Sequence, residues 1–189
     1  MQQRRAPTRG PGAPTLAYGL KLNDLVGGFY VKREIAQKRL GATLEVIEDR
    51  KSGALKIMSK DQSVMQGARF REAARGLKEL TGLSPCLPFT HREGLFSGND
   101  FVISEWFKLG DIRDKLGLPM PLDQALRLMQ AICSGVALAH SKKIIHGDIR
   151  PRKIMRRADG TLALRDFAYS PMTVPDTAKI HRSECRYLA

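Results

Sequence analysis

Long apolar runs are missing from this 189-residue sequence. None approaches the roughly 18 residues that a membrane-spanning helix needs, so the chain is expected to be soluble, cytoplasmic and without a membrane span. Cysteine is scarce. Cys86, Cys133 and Cys185 are odd in number and far apart, which argues against a disulfide framework or a zinc site and fits a reducing compartment. Acid is short as well: 19 Asp and Glu stand against 32 Lys and Arg, a formal charge of +13. An excess of that size can serve nucleic acid, an anionic membrane surface or a phosphate-handling site. The basic residues are spread along the chain, and no RNA-reading aromatic motif accompanies them, so nucleic acid is not the expected partner. There is no internal repeat. The hydrophobic fraction of 42% is that of an ordinary globular protein, enough for a real core.

Residues 1–17 form a basic arm, with Arg4, Arg5 and Arg9 among Pro7, Gly10, Pro11, Gly12 and Pro14; it has little to bury and is expected to be disordered. Its prolines spoil the amphipathic helix that a transit peptide would use. After Gly27-Gly28 the pattern turns to strands: Phe29-Tyr30-Val31, then Gly41 to Ile47, then a turn through Gly53 into Ala54 to Met58, an antiparallel meander. A helix is expected from about Asp61 to Leu80, with Val64, Met65, Ala68, Ala73, Leu77 and Leu80 near helical spacing. Phe101-Val102-Ile103 reads as another strand. The clearest helix runs from Leu122 to His140, where Leu122, Leu126, Met129, Cys133, Val136 and His140 recur at steps of three and four. Ile144-Ile145, Ile154-Met155 and Leu162 to Leu164 follow as short strands, the last two joined at Asp159-Gly160, a strong hairpin signal. The order of elements indicates an α+β fold.

Four residues carry the chemistry. Strand alternation puts Lys56 on one face with Ala54 and Met58, opposite Leu55 and Ile57. Glu72 falls four residues after Ala68 and seven after Met65, on the expected inward stripe, where a carboxylate needs a cation. Lys56 and Glu72 are thus a candidate ion pair able to hold a polyphosphate. In Ile144-Ile145-His146-Gly147-Asp148-Ile149-Arg150-Pro151, an apolar run delivers His146 and Asp148 to a polar loop that Pro151 keeps from becoming helical. The return run Leu162 to Asp166 ends on another acid, and the hairpin brings Asp148 and Asp166 to the same end of the sheet. One carboxylate can orient a hydroxyl nucleophile; the other can hold a hard divalent cation.

From about Phe29 onward the chain resembles a eukaryotic-type serine/threonine protein kinase domain. Ala54-Leu55-Lys56 is similar to the family's Val-Ala-Ile-Lys strand, and Glu72 to its helix glutamate. His146-Gly147-Asp148 resembles His-Arg-Asp, Asp166-Phe167-Ala168 resembles Asp-Phe-Gly, and Phe101 to Phe107 resembles the strand and hinge against which adenine docks, with Ser104 at the gatekeeper. The resemblance implies a small β-rich N-lobe over residues 18–104 and, over 105–189, the hinge and an incomplete helical C-lobe with catalytic loop and activation segment. It implies ATP and Mg²⁺ as cofactors and a protein substrate or partner. Lys56 would hold the α/β-phosphates, Glu72 would hold Lys56, Asp148 would be the catalytic base, and Arg150 would reach the γ-phosphate. Asp166 would hold Mg²⁺, and Gly41, Glu105 and Phe107 would border the nucleotide.

The sequence departs from that pattern at several points. In Ile35 to Gly41, the counterpart of the Gly-rich loop, only the last glycine remains, which weakens the backbone cover over phosphates. Lys153 stands where the family has a metal-holding asparagine, and an ammonium cannot ligate a metal. Gly147 removes the arginine that would receive an activation-loop phosphate, and Ala168 replaces the hinge glycine. The sequence given stops at Ala189, in the approach to Ala-Pro-Glu, so a domain truncated within the activation segment is expected, with apolar faces of the Leu122–His140 helix exposed. Two functions stay open: an ATP-binding kinase domain with weak or absent transfer to Ser/Thr, and a non-catalytic pseudokinase or kinase fragment that acts by interaction.

Overall fold

In a computed structural model of the chain, residues 15–38, 41–60, 64–115 and 120–167 are described. The basic arm up to residue 14, Arg39, Ala168 and the rest of the expected activation segment, with Cys185, lie outside the described residues.

Six antiparallel strands form one sheet: β1 (Leu25–Val26), β2 (Phe29–Lys38), β3 (Gly41–Glu48), β4 (Lys51–Met58), β5 (Thr90–Phe96) and β6 (Asn99–Glu105). Their order across the sheet is β1-β2-β3-β4-β6-β5. The expected meander is β2-β3-β4, but the first strand does not stop at the charged stretch after Val31. Lys32 and Arg33 continue β2 because Glu45, buried on β3, takes both cations at 2.8 and 2.6 Å. Burial pushes the Glu45 carboxyl up, and the two cations outweigh it, leaving its pKa below the ordinary value. The edge strand β5 lacks apolar alternation and was not expected. Its signal lies in the turn, where Ser97 and Gly98 both adopt positive φ (49° and 79°) and join Phe96 to its partner Asn99.

Helix α1 (Val64–Glu79) crosses from the sheet, and α2 (Leu122–Ser141) packs below it. On both, the buried face matches the stripe expected from the periodicity only in part. On α1 the buried residues are Gly67, Phe70, Ala74 and Leu77, while Ala68 and Glu72 are exposed. On α2 they are Ile132, Gly135 and Ala139, and Leu122, Leu126 and Met129 are 74%, 60% and 51% exposed. Small residues allow the inner face its close approach: a Cβ on Gly135 would lie 2.6 Å from Cys86 Cβ. Of the stripe that the periodicity singles out, Leu122, Leu126, Met129 and Cys133 are exposed, while Val136 is half-buried against the core.

The hairpin of β7 (Ile154–Arg156) and β8 (Leu162–Leu164) closes the described fold, with Ile154 opposite Leu164. Its loop turns on Gly160 (φ 83°), and Asp159 accepts the Thr161 N–H and hydroxyl at 2.9 and 2.7 Å. Two apolar clusters result. One lies within the sheet around Phe29, Leu44, Leu55, Ile57 and Ile103; the other joins Met58 and Phe70 to Ile132, Ile144, Leu164 and Phe167. The second cluster ties α1 to α2 and the hairpin, and so fixes the sheet above the loops that carry the site. This is an α+β arrangement of a β-rich lobe and few helices, as the order of elements indicates.

Candidate functional site

Strand β4 is central in its sheet, with Lys56 opposite Thr43 on one side and Val102 on the other. Alternation sends Leu55 and Ile57 into the sheet core and Ala54 and Lys56 to the wall of a cleft of about 370 Å³. Opposite, the segment after α2 pairs with no strand, contrary to the strand expected at Ile144-Ile145. Its burial still alternates: Ile144, His146 and Asp148 are inside, Ile145, Gly147 and Ile149 outside. Gly147 holds φ 71°, a left-handed value that suits glycine.

His146 is the fixed point of that segment. Its Nδ1 accepts the Asp148 N–H at 3.1 Å, so the ring proton sits on Nε2, which donates to the Arg165 carbonyl at 2.9 Å. The ring meets Phe167 edge-on, with centroids 4.7 Å apart. Burial, the largest influence, lowers its pKa to about 4, so it is neutral at physiological pH. One imidazole thereby joins the loop before Asp148 to the strand end before Asp166.

The two acids meet at Lys153. Its ammonium contacts Asp166 directly and lies 3.7 Å from Asp148. Lys56 contacts the other oxygen of Asp166, and Arg165 Nε lies 3.7 Å from that carboxylate. Asp148 is ion-paired with Arg150, whose Nη2 donates to Oδ2 at 2.8 Å while Nε lies 2.6 Å from Oδ1. Arg150, expected over a γ-phosphate, is folded onto the acid two residues before it. Asp166 itself has φ 80°, a left-handed value for a non-glycine residue.

Glu72 does not join this group. It is exposed on the face of α1 opposite Phe70 and Ala74, and Lys56 pairs with Asp166 instead. The inward stripe of α1 is set by Gly67, Phe70, Ala74 and Leu77, which turns position 72 outward. Gly41 opens β3, buried opposite Met58, while Ile35, Ala36 and Thr43 of the same strand pair form the cleft wall.

At the hinge, Glu105, Trp106 and Phe107 line the cleft, with Ser104 beside them. The Glu105 carboxylate is held by Arg157, Nε to Oε1 at 2.5 Å and Nη2 to Oε2 at 2.7 Å. Arg157 also donates to the carbonyls of Pro85 (2.5 Å) and Leu87 (3.3 Å), and lies 5.6 Å from the centre of the Phe107 ring. The bond to Glu105 chiefly raises its pKa. Sequence reasoning missed this residue, since its partner lies 52 positions away. It also missed Arg113, Arg152 and Arg165, which line the cleft.

The residues present suit a polyphosphate better than a metal ion. With Glu105 held by Arg157 and Arg113 by Asp111, the site sets Lys56, Lys153 and Arg165 around Asp166, with Asp148 3.7 Å from Lys153 and Arg152 also lining the cleft. At roughly 4 Å two unit charges repel by about 4 kcal/mol at an effective dielectric of 20, and a dication would feel twice that from each ammonium. Both Asp166 oxygens already meet ammonium groups, and no group of three or more His, Cys, Asp or Glu able to hold a metal occurs among the described residues. The donor set does not fit Mg²⁺.

Comparison with known proteins places this architecture. The chain is 23% identical over 150 residues to a probable serine/threonine-protein kinase, pknA2, of Bifidobacterium longum, covering 75% of this chain and 20% of that protein. It is 28% identical over 102 residues to the probable serine/threonine-protein kinase PknB of Lactococcus lactis, covering 53% and 16%. Over 87 residues it is 28% identical to human cyclin-dependent kinase 20, covering 44% and 25%. It therefore spans a quarter or less of each of these relatives. Among solved structures, the kinase domain of Mycobacterium tuberculosis PknI superposes with a TM-score of 0.65 at 20% identity, over 79% of this chain and 61% of that one. The family model for protein tyrosine and serine/threonine kinase matches residues 36–187, from the cleft wall at Ala36 through both acids. With that match spanning most of the sequence, the chain belongs to the protein tyrosine and serine/threonine kinase family.

Proposed function

We propose that the chain is a kinase-type domain that binds ATP in the Lys56 cleft and transfers phosphate to protein Ser/Thr weakly or not at all. The carrying observation is the Lys153 ammonium between Asp148 and Asp166. A transferring kinase needs one acid free to orient the substrate hydroxyl and the other free for a metal. Here Arg150 and Lys153 occupy the first, and Lys56 and Lys153 the second. Nucleotide binding asks less: apolar walls for a base, given by Ile35, Ala54, Phe107 and Met155, and cations for phosphates. The serine/threonine kinases among the relatives support Ser/Thr as the nominal acceptor.

The test is calorimetric titration of the purified chain with ATP, beside a phosphotransfer assay on a generic basic protein. Heat of binding at micromolar ATP, with transfer at least about a hundredfold below that of an intact kinase, is the expected pair of results. Brisk transfer that Asp148→Asn abolishes would overturn the reading. A second reading, a pseudokinase acting by protein interaction, draws on the exposed Leu122, Leu126 and Met129 face of α2.

A further inference from the structure

We infer that the cleft takes its nucleoside triphosphate without a divalent cation, the Lys153 ammonium serving as a built-in counter-ion where a metal would otherwise bridge acid and phosphate. The inference rests on the nucleotide-binding reading above and adds to it the ionic form of the ligand: free ATP, not its magnesium complex.

Three observations carry it. Lys153 is not a surface lysine that happens to swing inward. It is 7% exposed, and its backbone is pinned on both sides, its N–H donating to the Arg150 carbonyl at 2.8 Å and its carbonyl accepting the Arg165 N–H at 2.9 Å. That turn, Pro151–Lys153, begins at a proline with fixed φ, so the direction of the side chain is set before any ligand arrives. Second, the ammonium reaches both acids, as a bridging cation does. Mg²⁺ demands six oxygens at about 2.0–2.1 Å in near-ideal octahedral geometry, and a lysine asks for none of that order. Third, the charge on the wall already matches a polyphosphate. Lys56, Arg150, Lys153 and Arg165 outnumber Asp148 and Asp166, so a triphosphate gains neutralisation from the protein alone. A dication entering beside it would have to displace an ammonium that is buried and paired.

The experiment titrates the full chain with ATP in excess EDTA and again in excess Mg²⁺, with Mn²⁺ binding followed by electron paramagnetic resonance. The expected result is an ATP dissociation constant in EDTA equal to or lower than that in Mg²⁺, and no tight Mn²⁺ site in the ATP-bound protein. Lys153→Asn should weaken ATP binding in EDTA by about tenfold, the equivalent of about 1.4 kcal/mol. Mg²⁺ should restore it, and a Mn²⁺ signal should appear. Lys153→Arg, which keeps the charge, should bind in EDTA. ATP binding by the wild type that requires Mg²⁺, or a tight Mn²⁺ site in it, overturns the inference and leaves the nucleotide reading standing. Absence of ATP binding in both buffers overturns both. The wild-type comparison decides the matter even where a variant fails to fold.

Discussion

At the hinge end of the cleft one carboxylate meets one arginine; at the acid end two carboxylates meet Lys56, Arg150, Lys153 and Arg165. The hinge pair is balanced. Glu105 and Arg157 satisfy each other, and the remaining arginine donors go to the Pro85 and Leu87 carbonyls and the Thr161 hydroxyl. It joins the end of the sheet to the hairpin loop and has little left to offer a ligand. The acid end is over-supplied with positive charge, a costly arrangement for the empty fold and a useful one for an anion. Charge surplus, more than burial, separates a structural ion pair from a binding site here.

The largest contrast should be with pH. The acid end depends on His146 staying neutral, whereas among the described residues no imidazole is hydrogen-bonded within the hinge pair. The folded value of about 4 lies below the ordinary 6.5, so the unfolded chain binds the proton more readily. The histidine's contribution is therefore complete above pH 6.5 and is lost as pH falls toward 4, on the order of 3 kcal/mol in all. His146→Gln keeps a donor and an acceptor without titrating. Denaturant unfolding between pH 7 and 5 should fall more steeply for the wild type than for this variant, by about 2 kcal/mol. Parallel curves would show that His146 is not the responsible group.

Next in size is a paired substitution. Arg157→Met strands the Glu105 carboxylate and the Pro85 and Leu87 carbonyls, and should cost about 2 kcal/mol, or about 4–8 °C in Tm for a chain of this length. Lys153→Met removes one of the two ammonium groups on Asp166 while Lys56 remains. It should change stability by less than about 1 kcal/mol, because relief of repulsion among the surplus cations offsets the lost pair. Thermal melts of the two variants side by side decide the point. A Lys153→Met loss as large as that of Arg157→Met would make the acid end a structural network like the hinge.

The site's local parts were legible in the sequence, and its long-range parts were not. Alternation in β4 places Lys56, and Asp159-Gly160 with its flanking apolar runs places the hairpin, because both depend on neighbours within a few residues. The helical faces misled for a physical reason. Pattern reading weights runs of large apolar side chains, but the inner faces of α1 and α2 alternate a few of these, Phe70, Leu77 and Ile132, with Gly67, Ala74, Gly135 and Ala139, which let backbones approach closely. Leu122, Leu126 and Met129 are left outside, and Glu72 with them. Arg157 could not be assigned to Glu105 from a string in which 52 positions separate them. β5 was missed because an edge strand with one wet side can carry His91, Arg92 and Glu93.

The smallest expected effect tests the sharpest correction. Glu72 sits on the solvent side of α1, and Lys56 has its carboxylate in Asp166. Replacing an exposed glutamate on a helix surface changes stability by no more than about 0.5 kcal/mol. Glu72→Gln should therefore melt with the wild type and bind ATP with an unchanged dissociation constant. Lys56→Met, by contrast, should weaken ATP binding by at least about tenfold, the usual scale for losing one charge-assisted phosphate contact. If Glu72→Gln weakened ATP binding severalfold with an unchanged melting curve, α1 would have to rotate when nucleotide binds, bringing Glu72 to Lys56 and releasing Asp166. The acid end would then be a closed form of the site, and the surplus of cations around Asp166 would describe its resting state alone.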